Sequence, residues 1–496
     1  MKSIVAWGTL IIASISATQA ELWMPSIFAN GMVLQAEKPV PVWGEAEAGA
    51  EVTVEFAPST GPGQAGQKKS AVADSSNHWK ITLDPMPASS KPWNLIISSN
   101  RKSEINNRKF SDVLVGEVWI LSGQSNMGRP LSSCDDGAAA AANADYPWLK
   151  IFKQWPNQGA ANEPARDVTG GQWATCNPKQ AAQLSGVGFF FARELQKALP
   201  PNTPIALINT QMGGTYTECW IDLQTLEKTP SARPYLEKAA KEIKPGESDP
   251  KSYWGDNNFR RPAALYNGKV APLQPFAARG IIWYQGEGNS QQWLASGHAG
   301  TLTALIQSWR SGFEQPDLPF FIVQLPRFGA GKWSDWPAVR AAQAQVAREL
   351  PGVELAVTID LGEKEHIHPA DKEPVGERLA LLARAKIYGQ DVECYGPVFQ
   401  GLEIKKGAAL VSFANSDGLH LKGSGGFEIC GADGIFVPAH SEIMPNGTVK
   451  VSSPTVATPI AVRYAWFNWG DVSLFNGAGL PAAPFMSNTG RVGQNH

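Results

Sequence analysis

Hydrophobic and polar positions along this chain follow three successive rhythms. From residue 21 to 108 they alternate in short runs, as in Val40-Pro41-Val42-Trp43-Gly44 and Val52-Thr53-Val54-Glu55-Phe56. Alternation with period two places successive side chains on opposite faces of a strand. Turn residues separate the runs, so the stretch predicts a small β-sandwich or jelly-roll module. Its Gly/Ser/Pro-rich part, 58–70, reads as a hairpin loop.

From 109 to 389 the rhythm changes. Runs at 113–121, 204–209, 280–284, 319–325 and 353–359 are apolar on both faces, as strands covered from both sides are. Between them, 185–199, 302–309, 336–350 and 374–388 repeat apolar residues at helical spacing. Strand–helix alternation predicts an α/β unit, a parallel sheet flanked by helices. The stretches 130–177 and 217–262 read as long irregular insertions. From 390 to 496 short strands return, at 409–413, 448–451 and 461–466, so a C-terminal β-sandwich region is expected.

In an open parallel sheet, ligands bind beyond the carboxyl ends of the strands. The residues there are polar and glycine-flanked. After the first strand comes Gly123-Gln124-Ser125-Asn126-Met127, and after the second Gln211-Met212-Gly213-Gly214-Thr215. The third is followed by Gln285-Gly286-Glu287-Gly288-Asn289, and the fifth by Glu363-Lys364-Glu365-His366-Ile367-His368-Pro369. A serine, backbone donors, a side-chain amide and a histidine are the components of serine-ester hydrolysis. The tip Ser122-Gly123-Gln124-Ser125-Asn126 has so little bulk that a hydroxyl there can stand at the mouth of a cleft.

Charge narrows the field. Lys and Arg number 43 against 45 Asp and Glu, which leaves no basic footprint for nucleic acid. Residues 1–20 have the form of a secretory signal peptide: Lys2, a short apolar run over 4–15, and Ala17-Thr18-Gln19-Ala20 before Glu21. That run is too short to span a bilayer and no later stretch is longer, so an exported chain, secreted or periplasmic, without membrane insertion is expected. In an oxidising compartment the five cysteines leave at least one thiol free. Cys134 and Cys176 share a loop-rich stretch and form the candidate disulfide. No spacing suggests a metal site. Asn446-Gly447-Thr448 fits a glycosylation acceptor, and the exposed share of the 18 tryptophans would suit sugar stacking.

At these motifs the chain resembles the sialate O-acetylesterases, within the wider SGNH (GDSL-like) hydrolases. The resemblance rests on Gly116-Glu117-Val118-Trp119, Ser122-Gly123-Gln124-Ser125-Asn126-Met127, Gly213-Gly214-Thr215 with Trp220, Trp283-Tyr284-Gln285-Gly286-Glu287, and Ile367-His368-Pro369. It extends to Asn30-Gly31-Met32-Val33-Leu34-Gln35 at the start and Val462-Arg463-Tyr464-Ala465-Trp466 near the end. It implies an SGNH-hydrolase-like sheet at 109–389, between β regions at 21–108 and 390–496.

The resemblance makes Ser125 the nucleophile and His368 its base. The N–H groups of Ser125 and Gly214 and the side-chain amide of Gln285 would form the oxyanion hole. Chemistry agrees for the first pair, because a serine hydroxyl needs a base within hydrogen-bond reach. Ser122, one step inside the strand end, is expected to pack or cap. Glu287 and Asn289 are expected to stabilise the loop. The family places an aspartate two residues before the histidine, where this chain has His366. Glu365, three residues before His368, has the acid-to-base spacing of the wider SGNH group and is the expected acid. Glu363, or a backbone carbonyl, stays open.

The implied reaction removes acetyl groups from O-acetylated sialic acid through an acetyl-enzyme, with no metal or organic cofactor. Acetylated polysaccharide such as xylan is the second substrate expectation. A non-catalytic glycan-binding protein on the same scaffold is the rival from another class, and only the missing aspartate favours it.

Overall fold

A computed structural model of the chain describes residues 21–59, 66–101, 107–155, 158–242, 258–329 and 331–487. The signal-peptide expectation at 1–20, and residues 60–65 of the expected hairpin loop, lie outside these.

The central sheet has seven strands: β1 (Asn107–Gly123), β2 (Tyr146–Lys153), β3 (Gln172–Cys176), β4 (Ile205–Asn209), β5 (Gly280–Tyr284), β6 (Phe320–Val323) and β7 (Val353–Ala356). Their spatial order is β7-β6-β5-β1-β4-β2-β3. All neighbours are parallel except β2 and β3. The sheet is therefore mixed rather than purely parallel. β2 and β3 fall in the stretch 130–177, which reads as irregular from sequence. β3 is the edge strand and β2 its inner neighbour, and both are only partly covered, so neither is apolar on both faces.

Alternate residues of the strands feed two cores. Trp119, Leu121, Leu207, Ile282 and Phe321 pack with the helices Gly186–Ala198 and Glu373–Lys386. Val118, Ile120, Ile208, Trp283 and Ile322 share the opposite core with Leu302, Leu305 and Trp309 of the helix His298–Gly312. Helix ends follow local chemistry. The Ser185 hydroxyl accepts the Gly188 N–H at 3.1 Å, and Asp335 accepts the Ala338 N–H at 3.0 Å, each satisfying a donor that a helix start leaves open.

β1 belongs to two structures at once. Its first half pairs antiparallel with Ser89–Ser99 and parallel with Val33–Gln35, in the sheet of the N-terminal sandwich. Its second half is wholly buried and is the central strand of the α/β sheet. The sequence boundary between 108 and 109 falls inside this strand. Beyond 390, two four-stranded antiparallel sheets enclose a core of their own. Two arginines tie this region to the sheet: Arg340 donates to the Phe467 carbonyl at 2.6 Å, and Arg327 to that of Gly470 at 2.9 Å.

All five cysteines are free thiols, which corrects the expected Cys134–Cys176 pair. Both are buried and serve as small apolar residues of one core. Burial pushes both thiols up, that of Cys176 to about 12. The acceptor-like Asn446 closes an exposed turn by accepting from Thr448. Among the described residues no helix is long and apolar enough to cross a membrane.

Candidate active site

The end of β1 is shaped by one glycine. Gly123 has φ +125°, and a Cβ there would lie 2.1 Å from the Tyr284 carbonyl oxygen. Glycine alone tolerates both conditions. The chain turns off the strand, the Gln124 N–H is held by the Tyr284 carbonyl at 3.0 Å, and the short helix Ser125–Gly128 begins. Ser125 thus stands half-buried on a cavity of about 330 Å³, which Arg129, Gln211, Gly213 and His368 also line. Ser122 is fully buried away from it.

His368 reaches the same cavity from the loop after β7. Its Nε2 lies 2.7 Å from Ser125 Oγ, across 243 residues of sequence. Burial lowers the imidazole below the ordinary histidine range, and the positive charges of Lys372 and Arg129 lower it further. The neutral ring, the form that can accept a proton, is therefore favoured at neutral pH.

The expected acid is not on this histidine. Glu365 is exposed at the rim of a second cavity of about 460 Å³, which Arg129, Glu363, His366 and His368 share. It makes no hydrogen bond or ion pair among the described residues. Glu363 is engaged elsewhere, accepting the Ala370 N–H at 2.9 Å. The loop is held instead through its backbone. Arg129 donates to the His368 carbonyl at 3.1 Å, and the Asn126 amide to the Ile367 carbonyl at 2.9 Å.

The oxyanion expectation divides. Gly213 packs against Ser125, since a Cβ on it would sit 3.4 Å from Ser125 Cβ, and Gly214 follows at φ +68°. The N–H groups of Ser125 and Gly214 meet no acceptor among the described residues. Gln285, by contrast, is fully buried and spent. Its amide donates to the Thr215 carbonyl at 3.2 Å and to Asn289 at 2.7 Å, and its oxygen accepts from Thr217 at 2.8 Å. The structure therefore makes Gln285 a brace for the 213–217 turn, not a donor facing Ser125. Asn289 also donates to Glu218 at 2.9 Å, a buried carboxyl pushed up to about 7 by desolvation.

A buried network beneath the serine escapes the sequence reading. Asn126 donates to Glu287 at 2.5 Å and accepts from Lys372 at 2.7 Å, besides its bond to the histidine loop. The Lys372 ammonium also lies 5.1 Å from the Tyr284 ring centroid. Burial lowers Lys372 to about 8 and raises Glu287. Asn126 stands in the motif quoted for the nucleophile, but nothing in the pattern marks Lys372 as its partner. The one grouping with metal-ligand spacing among the described residues, Glu194, Glu373 and Glu377, is answered by Arg193 and Lys197.

Residues 115–384 match the family model described as carbohydrate esterase, sialic acid-specific acetylesterase. The sialate O-acetylesterase of Mus musculus is 28% identical over 98% of this chain and 98% of its own length. That of Homo sapiens is 29% identical over 95% of this chain and 93% of its own. The crystal structure of a carbohydrate acetylesterase from Xanthomonas citri superposes with a TM-score of 0.80. It is 34% identical and covers 94% of this chain and 100% of its own.

Proposed function

This chain belongs to the carbohydrate esterase family of sialic acid-specific acetylesterases, and on that premise we propose that it removes O-acetyl groups from sialic acids. It is a carboxylic ester hydrolase. The observation that carries the mechanism is the 2.7 Å contact between Ser125 Oγ and His368 Nε2 at the mouth of a cavity.

The neutral imidazole takes the Ser125 proton as Oγ attacks the acetyl carbonyl. The N–H groups of Ser125 and Gly214 receive the developing negative charge. His368 returns the proton to the leaving sugar oxygen, and water, activated by the same ring, then hydrolyses the acetyl-enzyme. The pair works as a dyad whose histidine is oriented through backbone bonds by Arg129 and Asn126. We read the α/β unit as SGNH-hydrolase-like, and the leader-like segment 1–20 supports an exported enzyme.

Arg129 borders both cavities, and Arg260 donates to the Gly214 carbonyl at 3.1 Å. The Arg129 guanidinium beside the serine suits the carboxylate of a sugar acid. A second reading, an acetylated neutral polysaccharide, is favoured by the higher identity to the Xanthomonas citri carbohydrate acetylesterase than to the mammalian relatives. The deciding experiment measures acetate release from O-acetylated sialic acids and acetylated xylan, beside a chromogenic acetyl ester. The ester should be hydrolysed, and a serine-directed organophosphate should abolish the activity. An inert native chain would return the scaffold to glycan binding without catalysis.

A further inference from the structure

Among the described residues four tryptophans are exposed: Trp155 (53%), Trp293 (36%), Trp333 (70%) and Trp469 (36%). Single exposed aromatics are ordinary. Three of these, however, stand on segments bonded to one another at the carboxyl edge of the sheet. The Gln292 N–H donates to the Trp333 carbonyl at 3.2 Å, and the Asn468 amide to the Ser334 carbonyl at 3.4 Å. Phe328 N–H donates to the Asn468 carbonyl at 3.0 Å. That same Phe328 pairs with Glu363 in a two-stranded parallel ladder. Glu363 lines the cavity that His368 shares with the serine's own. The segments that bear the indoles are therefore bonded, one to the next, to a strand that lines the cavity of His368.

A cation lies beside each of two rings. Lys332 lies 4.9 Å from the Trp333 ring centroid, and the Arg327 guanidinium 4.8 Å from that of Trp469. An indole face matches the apolar C–H face of a pyranose while the sugar hydroxyls stay in water.

We infer that Trp333 and Trp469, with Trp293 beside them, form a stacking platform for further sugar units of the substrate. The ester this enzyme cleaves then sits on an extended oligosaccharide rather than on a free sugar. The inference rests on the reading of Ser125 as the esterase nucleophile. Its occupant is a glycan chain because the rings stand on segments bonded to the strand that carries Glu363 at the His368 cavity, and because an exposed indole face suits the C–H face of a sugar.

The test compares acetate release from acetylated monosaccharides and hexasaccharides of xylose, of glucose and mannose, and of sialylated lactosamine, with 4-nitrophenyl acetate as the small ester. For at least one sugar the hexasaccharide should exceed its monosaccharide in kcat/KM by about ten-fold, the value of one good aromatic contact. Trp333→Ala and the milder Trp469→Phe should remove that advantage through KM and leave 4-nitrophenyl acetate hydrolysis unchanged. Equal rates for monomer and hexamer in all three series would overturn the platform, as would variants that slow both ester classes alike. Loss of 4-nitrophenyl acetate hydrolysis in the native enzyme would instead strike the nucleophile assignment.

Discussion

Ser125 and His368 face each other across 2.7 Å, yet the segments that carry them are built on different principles. The serine's turn is fixed from within: Gly123 permits it, the Tyr284 carbonyl anchors it, and the next residue, Asn126, is buried in a network with Glu287 and Lys372. The histidine's loop is exposed over 364–366 and is held from outside, by groups that grasp its backbone. A side chain on a buried turn needs no further orientation. A side chain on an exposed loop depends on whichever neighbours hold the main chain. Substitutions should therefore act locally on the first and through distant partners on the second.

The widest gap between the two comes from the serine itself. Ser125→Ala should leave the fold intact and cost on the order of a million-fold in turnover, since members of such a unit act together. Ser122→Ala should be nearly silent in the same acetate-release assay, and the reverse pattern would exchange the two roles.

Asn126 joins both segments, so its loss should damage both. Asn126→Ala takes a hydrogen-bond partner from both Glu287 and Lys372 in the interior, a penalty of about 1–3 kcal/mol per group that thermal melting would register. It also frees the Ile367 carbonyl, and a misplaced histidine should cost about a hundred-fold in kcat with KM little changed. A variant with full turnover would show that the loop holds itself.

Gln285→Ala probes the brace behind Gly214. Roughly a ten-fold fall in kcat is expected, short of the hundred- to thousand-fold that a lost oxyanion donor costs. A thousand-fold fall at unchanged melting temperature would put the Gln285 amide on the oxyanion after all.

The pH profile reads the charges behind His368. With the imidazole lowered by burial, Lys372 and Arg129, activity that needs the neutral ring should persist below the ordinary histidine range. The acid limb of kcat/KM should therefore lie under about 6.5. Arg129→Met removes one of the charges that oppose protonation, so the limb should move upward. A limb that stays put or moves down would deny Arg129 that influence.

The smallest effect is expected at Glu365. An acid that orients a catalytic histidine costs about ten-thousand-fold when neutralised, whereas Glu365→Gln should cost less than about ten-fold. A steep loss would restore the triad that the exposed carboxylate does not form.

What the sequence revealed follows the same division. β1 and its tip were legible because a strand buried on both faces must be apolar throughout, and a tight turn at its end needs glycine and small polar residues. β2 and β3 were not, because partly covered strands near a sheet's edge keep a wet face and an irregular pattern. Motif order pointed to Ser125 and His368, which the fold brings within 2.7 Å of each other. For Gln285, a motif identifies a residue without fixing its rotamer, and three partners hold that amide away from the serine's cavity. Glu365 was proposed from spacing alone, which ignores whether the backbone turns a side chain inward. Lys372 gave no signal, since a lysine before a helix normally points to water.

The double membership of β1 reaches beyond the active site. A strand that starts in one sheet and ends in another offers no seam. A cut at 109 would strip Ser89–Ser99 of most of its partner and Val33–Gln35 of its anchorage, and would leave the first half of the strand that leads to Ser125 without either. In terms of heredity, the N-terminal sandwich is thus not baggage that a descendant could shed or trade for another module. It is the stem from which the strand bearing the serine grows, and the two must be inherited as one piece.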